Sequence, residues 1–389
     1  MRVYHFSETA YPHLPDPSTL ETVRVVYPSS NYDPKKGADI YQKRLDEWQA
    51  ADELGLNIML NEHHQTATCT VPAVPLIAAI LARITKNARI LILGNPLANR
   101  RQPTRIAEEM AMIDVISRGR LECGFIRGVP FELSAQNSNP MRMAERLWEA
   151  HDIIMKAWTT HDGPFNWEGK YYQHRQINIW PRPYQQPHPP VWITVSSPAS
   201  CVPLAQRKYV AATFLSGFDG AKAIYAGYRK AWTDAGHSGE ANADRLAYLA
   251  MCAVGENEAE ARRLGQQVLW YLNMNKVSPQ FARVPGYVSA EAIAAMRKAG
   301  LMPIGVESTV GGANLDDQIA KGNMFCGTPD TVYKQIKKFH DHVGGLGHLM
   351  LMMQAGPMDT PDVVKNLSLF AKEVYPRLKE MSPVKEPVG

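Results

Sequence analysis

Short apolar runs alternate with longer segments in which apolar residues recur every three to four positions, and this alternation continues along most of the chain. Runs of four to eight apolar residues are typical of strands buried on both faces, whereas the longer periodic segments are typical of amphipathic helices. The pattern predicts eight strands, near residues 2–7, 57–62, 88–95, 121–127, 191–196, 211–216, 245–254 and 348–353.

Eight strands that alternate with helices favour a (β/α)8 TIM barrel over an open sheet. No Gly-x-Gly-x-x-Gly motif follows a predicted strand, which argues against a Rossmann fold, and no repeat of solenoid length occurs. We expect a single barrel domain over residues 1–381 and a C-terminal tail over 382–389. Three insertions interrupt the rhythm after strands 1, 4 and 7, at about 10–37, 159–190 and 274–325, and the second contains a predicted hairpin.

Composition narrows the class of protein. The chain has 389 residues, 45% of them hydrophobic, and a net charge of +4 without a basic block, so nucleic acid is not an expected partner. No run of 18 apolar residues suggests a membrane span, and the N-terminus leads directly into a predicted strand, so no signal peptide is expected. Five scattered cysteines without metal-ligand spacing favour a reducing cytoplasm and buried thiols.

Polar side chains with catalytic potential follow several predicted strands. The apolar run Asn57–Leu60 leads into Asn61 and then into Glu62, His63 and His64. In a parallel barrel the carboxyl ends of all strands meet at one mouth, where catalytic groups lie. A solvated strand end is the alternative reading of these residues. The residues expected around this mouth are His5, Ser7, Glu62, His63, His64, Asn95, Arg127, Ser196, Ser197 and Ser200.

A candidate anion site follows strands 4 and 5 of the predicted barrel. Ser196, Ser197 and Ser200 stand where a strand enters a helix, and they offer hydroxyls and free backbone N–H groups to an anion such as phosphate. Arg127 could add a planar, permanently charged donor. The alternatives are an ordinary helix cap for the serines and an ion pair with Glu62 for the arginine.

Several motifs in order resemble the bacterial luciferase-like family of flavin-dependent monooxygenases. Each is modest in specificity, but together they follow the same order across nearly the whole chain outside 10–37 and 274–325. The matching segments are Glu62-His63-His64, Ser117-Arg118-Gly119-Arg120-Leu121 with Gly124-Phe125-Ile126-Arg127-Gly128, Ser196-Ser197-Pro198-Ala199-Ser200 before Leu204-Ala205-Gln206-Arg207, Gly327-Thr328-Pro329-Asp330, and Glu373-Val374-Tyr375-Pro376-Arg377-Leu378.

The resemblance implies a monooxygenase that takes reduced FMN from a separate NAD(P)H:flavin reductase and uses O2, through a flavin C4a-(hydro)peroxide, to oxidise a small organic substrate. It implies a homodimer or heterodimer. By motif position, Arg127, Ser196, Ser197 and Ser200 would hold the FMN phosphate. Asn95 would lie beside the flavin ring, where the family has a cis peptide that we expect at Gly94–Asn95 or Asn95–Pro96.

His63 matches the imidazole that the family places beside the flavin, and an imidazole near its usual pKa of about 6.5 can exchange the required proton. We expect Glu62 to orient His63 or to shape the strand end. Apolar residues that could line the mouth, or equally belong to the barrel core, are Phe6, Met59, Phe214, Met352 and Met353. Tyr11, Phe131 and Met324 could touch the substrate, whose identity the sequence does not indicate.

Three alternatives remain open. The same barrel could bind the deazaflavin F420 and transfer hydride. A metal-dependent hydrolase could use His5, His63 and His64, although strand 1 lacks the usual His-x-His pair. The chain could also be a luciferase-like subunit that has lost flavin chemistry and only forms a dimer. We expect no bound metal.

Overall fold

Eight parallel strands close into a barrel in a computed structural model of the chain, which describes residues 1–282, 284–290, 293–294, 313–382 and 384. Around the ring the order is β1-β2-β3-β4-β7-β8-β9-β11, and β11 pairs with β1 to close it. The barrel strands are β1 (Arg2–Phe6), β2 (Asn57–Leu60), β3 (Ile90–Pro96), β4 (Leu121–Ile126), β7 (Val191–Thr194), β8 (Val210–Phe214), β9 (Leu246–Val254) and β11 (His348–Met352). The predicted fold class and all eight predicted strands are confirmed.

Helices surround the barrel and pack their apolar faces on the strands. The described α-helices are α1 (Pro34–Glu53), α2 (Val74–Ile84), α3 (Pro103–Ile116), α4 (Met143–Thr159), α5 (Val202–Arg207), α6 (Gly217–Asp234), α7 (Glu258–Val268), α8 (Trp270–Met274), α9 (Pro279–Ala282), α10 (Leu315–Lys321), α11 (Pro329–His342), α12 (Thr360–Leu369) and α13 (Tyr375–Met381). The residues Gly327-Thr328-Pro329-Asp330 predict a helix start, and Thr328 caps α11 with Pro329 in its first turn. None of the described helices is long and apolar enough to cross a membrane.

Two further strand pairings lie outside the ring. The predicted hairpin is present as β5 (Phe165–Glu168) and β6 (Gln173–Ile177), which pair antiparallel. An additional strand, β10 (Met324–Gly327), was not predicted. It pairs with the last four residues of β9, because β9 is nine residues long and extends past its other partners, β8 and β11.

Some predictions fall outside the described residues. The sequence also predicts a short helix at 290–299, and this helix lies largely outside the described residues, as does most of the 382–389 tail. The single domain over residues 1–381 stays a prediction. The five cysteines are all free and buried, which agrees with the predicted role of the thiols as small apolar residues.

Two histidines are buried within the barrel strands. Burial, with a smaller effect of the Arg44 charge, lowers the pKa of His5 to about 3. Burial also lowers the pKa of His348 to about 4, and Nε2 of this histidine lies 2.8 Å from the carbonyl oxygen of Asp244. Both imidazoles are therefore neutral in the folded protein at neutral pH.

We expect the free energy of unfolding to fall as the pH is lowered from about 6.5 to about 4. In this window the unfolded chain protonates His5 and His348 while the folded chain does not, which costs at most about 1.4 kcal/mol per pH unit for each histidine. Urea unfolding at several pH values measures how the free energy of unfolding depends on pH. This dependence should be weaker in His5→Gln than in the wild type. The exposed variant His161→Gln is the control, and an unchanged dependence in His5→Gln would contradict the expectation.

Candidate active site

The carboxyl ends of β2, β3, β4 and β7 lie side by side at one mouth of the barrel. Parallel registers align Leu60 with Ile92, Pro96 with Ile126, and Phe125 with Ile193. Neighbouring strands in a sheet are about 4.8 Å apart. The residues that follow these strands are therefore brought to one edge, and they include His63, Asn95, Arg127 and the serines of residues 196–200.

A buried carboxylate holds His63. Nδ1 of His63 lies 2.9 Å from Oε1 of Glu132, and the same oxygen accepts a hydrogen bond from the backbone N–H of His64 at 2.9 Å. Glu132 is 1% exposed and closes a short 3-10 helix, Pro130–Glu132, in the loop after β4. Nε2 of His63 has no hydrogen-bond partner among the residues that the structure describes.

The surroundings of His63 favour its protonated form. Burial lowers the pKa of His63, but the hydrogen bond to Glu132 and the charges of Glu8 and Glu132 outweigh this effect, so the pKa is raised above its ordinary value. The positive charge of Arg24 opposes the rise to a smaller extent. The imidazole can thus give or take a proton near neutral pH, as general acid–base catalysis requires.

The hydrogen bonds and ion pairs of the Glu62 side chain within the described chain do not include His63. Successive residues of an extended segment point to opposite sides, which separates the two neighbouring side chains. The Glu62 carboxylate instead pairs with Arg100, lies 3.1 Å from Nε2 of His64, and accepts from the backbone N–H of Val74 at the start of α2. Glu62 thus ties the strand end to the following helix, and its role in catalysis stays a prediction.

The candidate anion site joins a helix cap with Arg127. The hydroxyls of Ser197 and Ser200 lie 3.0 Å apart, and the Ser197 backbone N–H donates to Oγ of Ser200 at 3.2 Å, which forms a capping box before α5. Ser196 is exposed and Ser197 and Ser200 are half-buried. The cap uses the Ser197 and Ser200 backbone N–H groups internally, and the anion site at these serines stays a prediction.

Arg127 does not form the ion pair with Glu62 that the sequence left open. Its guanidinium carbon lies 4.0 Å from the centre of the Tyr287 ring, and the Tyr287 hydroxyl donates to the carbonyl of Gly128 at 2.6 Å. Within the described part of the chain, Arg127 has no carboxylate within ion-pairing distance. The 274–325 insertion thus supplies a stacking partner that leaves the arginine charge available to an anion.

Asn95 lies at an irregular point of β3. Its side chain is fully buried, Nδ2 contacts the sulfur of Met110 at 3.5 Å, and Oδ1 has no partner in the described chain. The cis peptide expected here is present, but both predicted positions are wrong, since it joins Leu93 to Gly94. The pairing of β3 with β4 shifts register between Ile92 and Asn95, and the cis bond lies within this interval.

The apolar candidates divide into core and surface residues. Phe6, Met59, Met352 and Met353 are buried in the core cluster, whereas the side chain of Phe214 at the end of β8 is 52% exposed. Of the residues that could touch substrate, Met324 is fully buried in β10, outside the ring. The Tyr11 hydroxyl accepts from the backbone N–H of Asp33 at 3.0 Å, and Phe131 lies against His63 with ring centres 6.0 Å apart.

No group of three or more metal-ligating side chains occurs within the described ranges, and the three histidines of the hydrolase alternative do not converge. His5 is buried with both ring nitrogens unpartnered, while His63 and His64 bind different carboxylates.

Four residues of this mouth escaped sequence-based prediction because they stand in loops without strand-end signals. They are Arg24, Arg100, Glu132 and Tyr287.

The fold and the site define an α/β barrel whose strand ends carry an imidazole–carboxylate pair and, after the neighbouring strands β4 and β7, an arginine and a serine-capped helix. A sequence model of the luciferase-like monooxygenases matches residues 27–344. The chain belongs to this family, as the resemblance of its motifs implied.

Individual relatives share modest identity with the chain. The oxygenase component of the flavin-dependent trigonelline monooxygenase of Acinetobacter baylyi is 32% identical over 165 residues, 41% of this chain and 45% of the relative. The chain thus spans about half the length of such curated relatives. 2,5-Diketocamphane 1,2-monooxygenase 2 of Pseudomonas putida is 23% identical over 85% of this chain and 92% of its own length.

A solved structure shares the fold across nearly the whole chain. The oxygenating constituent of 3,6-diketocamphane monooxygenase from Pseudomonas putida, a type II Baeyer–Villiger monooxygenase in complex with FMN, superposes with a TM-score of 0.73 at 21% identity. The match covers 97% of this chain and 98% of that one.

Proposed function

We propose that this protein is the oxygenase component of a two-component flavin monooxygenase. It would bind reduced FMN supplied by a separate NAD(P)H:flavin reductase and oxidise a small organic substrate with O2. The observation that carries the proposal is the arrangement of His63, whose Nδ1 is held by the buried Glu132 while Nε2 is unpartnered at the mouth that also presents Arg127. Relatives in the same family are named as flavin-dependent monooxygenases.

The residues present fit a flavin mononucleotide. The buried Oδ1 of Asn95 has no partner among the described residues, as expected of a group that meets a polar edge of a bound ring. Arg127, with Ser196, Ser197 and Ser200, would hold the phosphate, since a guanidinium and a helix start both favour a dianion. When bound, reduced FMN supplies the electrons that activate O2.

The chain's own residues would manage the proton and the water. With Nδ1 of His63 donating to Glu132, Nε2 is the atom that accepts a proton in the neutral imidazole and donates it in the imidazolium. The barrel interior beneath the mouth is apolar, and its residues include Phe6, Met59, Met352 and Met353. An apolar interior keeps bulk water from the reacting groups. Glu62 would act indirectly, by fixing the strand end through Val74.

We also propose that the protein forms a dimer through α2 and α3, either with itself or with a homologous chain. Four apolar side chains on these adjacent helices are between 40% and 67% exposed, namely Leu76, Ile80, Met112 and Val115. The first two are spaced i, i+4 and the last two i, i+3, so each pair lies on one helix face. Exposed apolar side chains grouped on neighbouring helices are typical of a protein–protein interface.

Cofactor choice is the decisive test of the proposed function. We expect anaerobic titration with reduced FMN to give saturable binding, and titration with reduced F420 to give none. Aerobic turnover with a reductase, NADH and FMN should then yield product carrying one atom from 18O-labelled O2. Saturable binding of F420 without FMN would instead support hydride transfer, and binding of neither would support a non-catalytic subunit.

A further inference from the structure

Arg24, in the first insertion, is a buried arginine that forms no ion pair with a described carboxylate. It is 3% exposed, and its Nε and Nη1 have no hydrogen-bond partner in the part of the chain that the structure describes. Nη2 donates to the amide oxygen of Asn275. An arginine is almost never fully buried unless it is paired, because its charge loses hydration that only an anion replaces well.

The Arg24 side chain lies against the candidate active site. Its guanidinium carbon is 4.1 Å from the centre of the Phe131 ring, and the Phe131 ring centre is 6.0 Å from that of His63. The charge of Arg24 also opposes the rise in the pKa of His63. The unpartnered donors are therefore near the imidazole that the proposed function assigns to proton transfer.

The backbone around Arg24 is held from two sides. Val25 donates its N–H to the carbonyl of Gln65 at 2.7 Å, and Ala67 donates to the carbonyl of Val23 at 3.1 Å, just beyond the His63–His64 pair. The N–H of Val23 donates to the carbonyl of Lys276 at 3.4 Å. The position of Arg24 is thus built by the first and third insertions together with the loop after β2.

The two nearby carboxylates do not satisfy Arg24. Oε1 of Glu132 already accepts from His63 and from the His64 backbone. Glu8, which is 4% exposed, hydrogen-bonds to the Tyr271 hydroxyl, and its Oε2 has no hydrogen-bond partner among the described residues. Neither carboxylate lies within 4.0 Å of the Arg24 nitrogens. Among the described residues no anion reaches Nε and Nη1, and these donors are open to a bound anion.

We infer that Arg24 binds a carboxylate of the substrate, so that the protein oxidises small organic acids. This inference rests on the proposed function for the reaction, but the binding of the carboxylate does not require it. A guanidinium stacked on an aromatic ring presents its N–H edge in one plane, which matches a planar carboxylate. The FMN phosphate has its own candidate site at Arg127, after a different strand.

The test uses three carboxylates with their neutral amides as probes: formate, acetate and benzoate against formamide, acetamide and benzamide. Calorimetric titration of the purified protein, with and without FMN, should show at least one acid binding about tenfold or more tightly than its amide. In Arg24→Gln this preference should disappear, with the affinity for the acid falling about 10- to 100-fold. Arg24→Lys keeps the charge without the planar donors. Its affinity for the acid should lie between those of the wild type and Arg24→Gln.

Arg182→Gln, at an exposed arginine of the second insertion, is the matched control and should behave like the wild type. Circular dichroism and FMN affinity are measured for each variant. The inference is overturned if no acid is preferred over its amide in the wild type, or if folded Arg24→Gln keeps the preference. A fall in FMN affinity alone would assign Arg24 to the cofactor instead. Failure of the wild type to bind FMN would remove the proposed function but leave the carboxylate comparison decisive.

Discussion

Replacing His63 by alanine should lower coupled product formation by about 10²- to 10⁴-fold, the usual contribution of a positioned general acid or base. Binding of FMN should be largely kept, because the groups expected to hold the phosphate follow other strands of the barrel. The measurement is the yield of oxygenated product for each reduced flavin consumed, together with the hydrogen peroxide released. We expect flavin oxidation to continue while product gives way to peroxide.

His161→Ala provides the control for His63→Ala, since His161 is exposed in the loop after α4. It should leave the product yield unchanged. If the product yield of His63→Ala stayed normal while FMN binding was intact, His63 would not handle the proton. Loss of FMN binding in the same variant would assign His63 to the cofactor pocket rather than to proton transfer.

The variant Glu132→Gln tests whether Glu132 controls the protonation of His63 or only packs against its ring. The Glu132 carboxylate raises the pKa of His63, so replacing it with a neutral amide leaves burial to dominate and lowers that pKa. The pH at which coupled turnover changes with the protonation of His63 should therefore move to lower values. A structural role alone would reduce activity at every pH without moving this midpoint.

The second large effect is expected at Arg127. Arg127→Ala should weaken FMN binding about 10- to 100-fold, because a hydrogen bond to a charged group contributes about 1.5–3 kcal/mol. Riboflavin, which has the same ring without the phosphate, should bind the variant and the wild type with similar affinity. Fluorescence titration with both flavins measures the two affinities in one series.

The contrast between the two flavins makes the Arg127 prediction specific. Equal losses for FMN and riboflavin would show that Arg127 acts through its stacking on Tyr287 and not through the phosphate. Arg182→Ala, the same exchange at an exposed site, controls for the change in net charge. It should leave both affinities unchanged.

Much of the fold followed from local periodicity. Apolar runs such as Asn57–Leu60 must be buried on both faces, and the helical segments between them must cover the barrel. The strand β10 escaped prediction because its four residues pair only with the extended end of β9. The position of the cis peptide escaped because it lies within a register shift between β3 and β4, which no local pattern reveals.

The sequence by itself therefore determined the barrel and which strand ends carry an imidazole, an arginine and a group of serines. Only the tertiary structure decided how these groups are partnered. Glu132 is 69 residues from His63 along the chain, and Arg24 and Tyr287 stand in loops whose paths are not periodic. Periodicity is set by neighbours along the chain, whereas the partner of a buried charge is chosen among all residues that folding brings within hydrogen-bond distance.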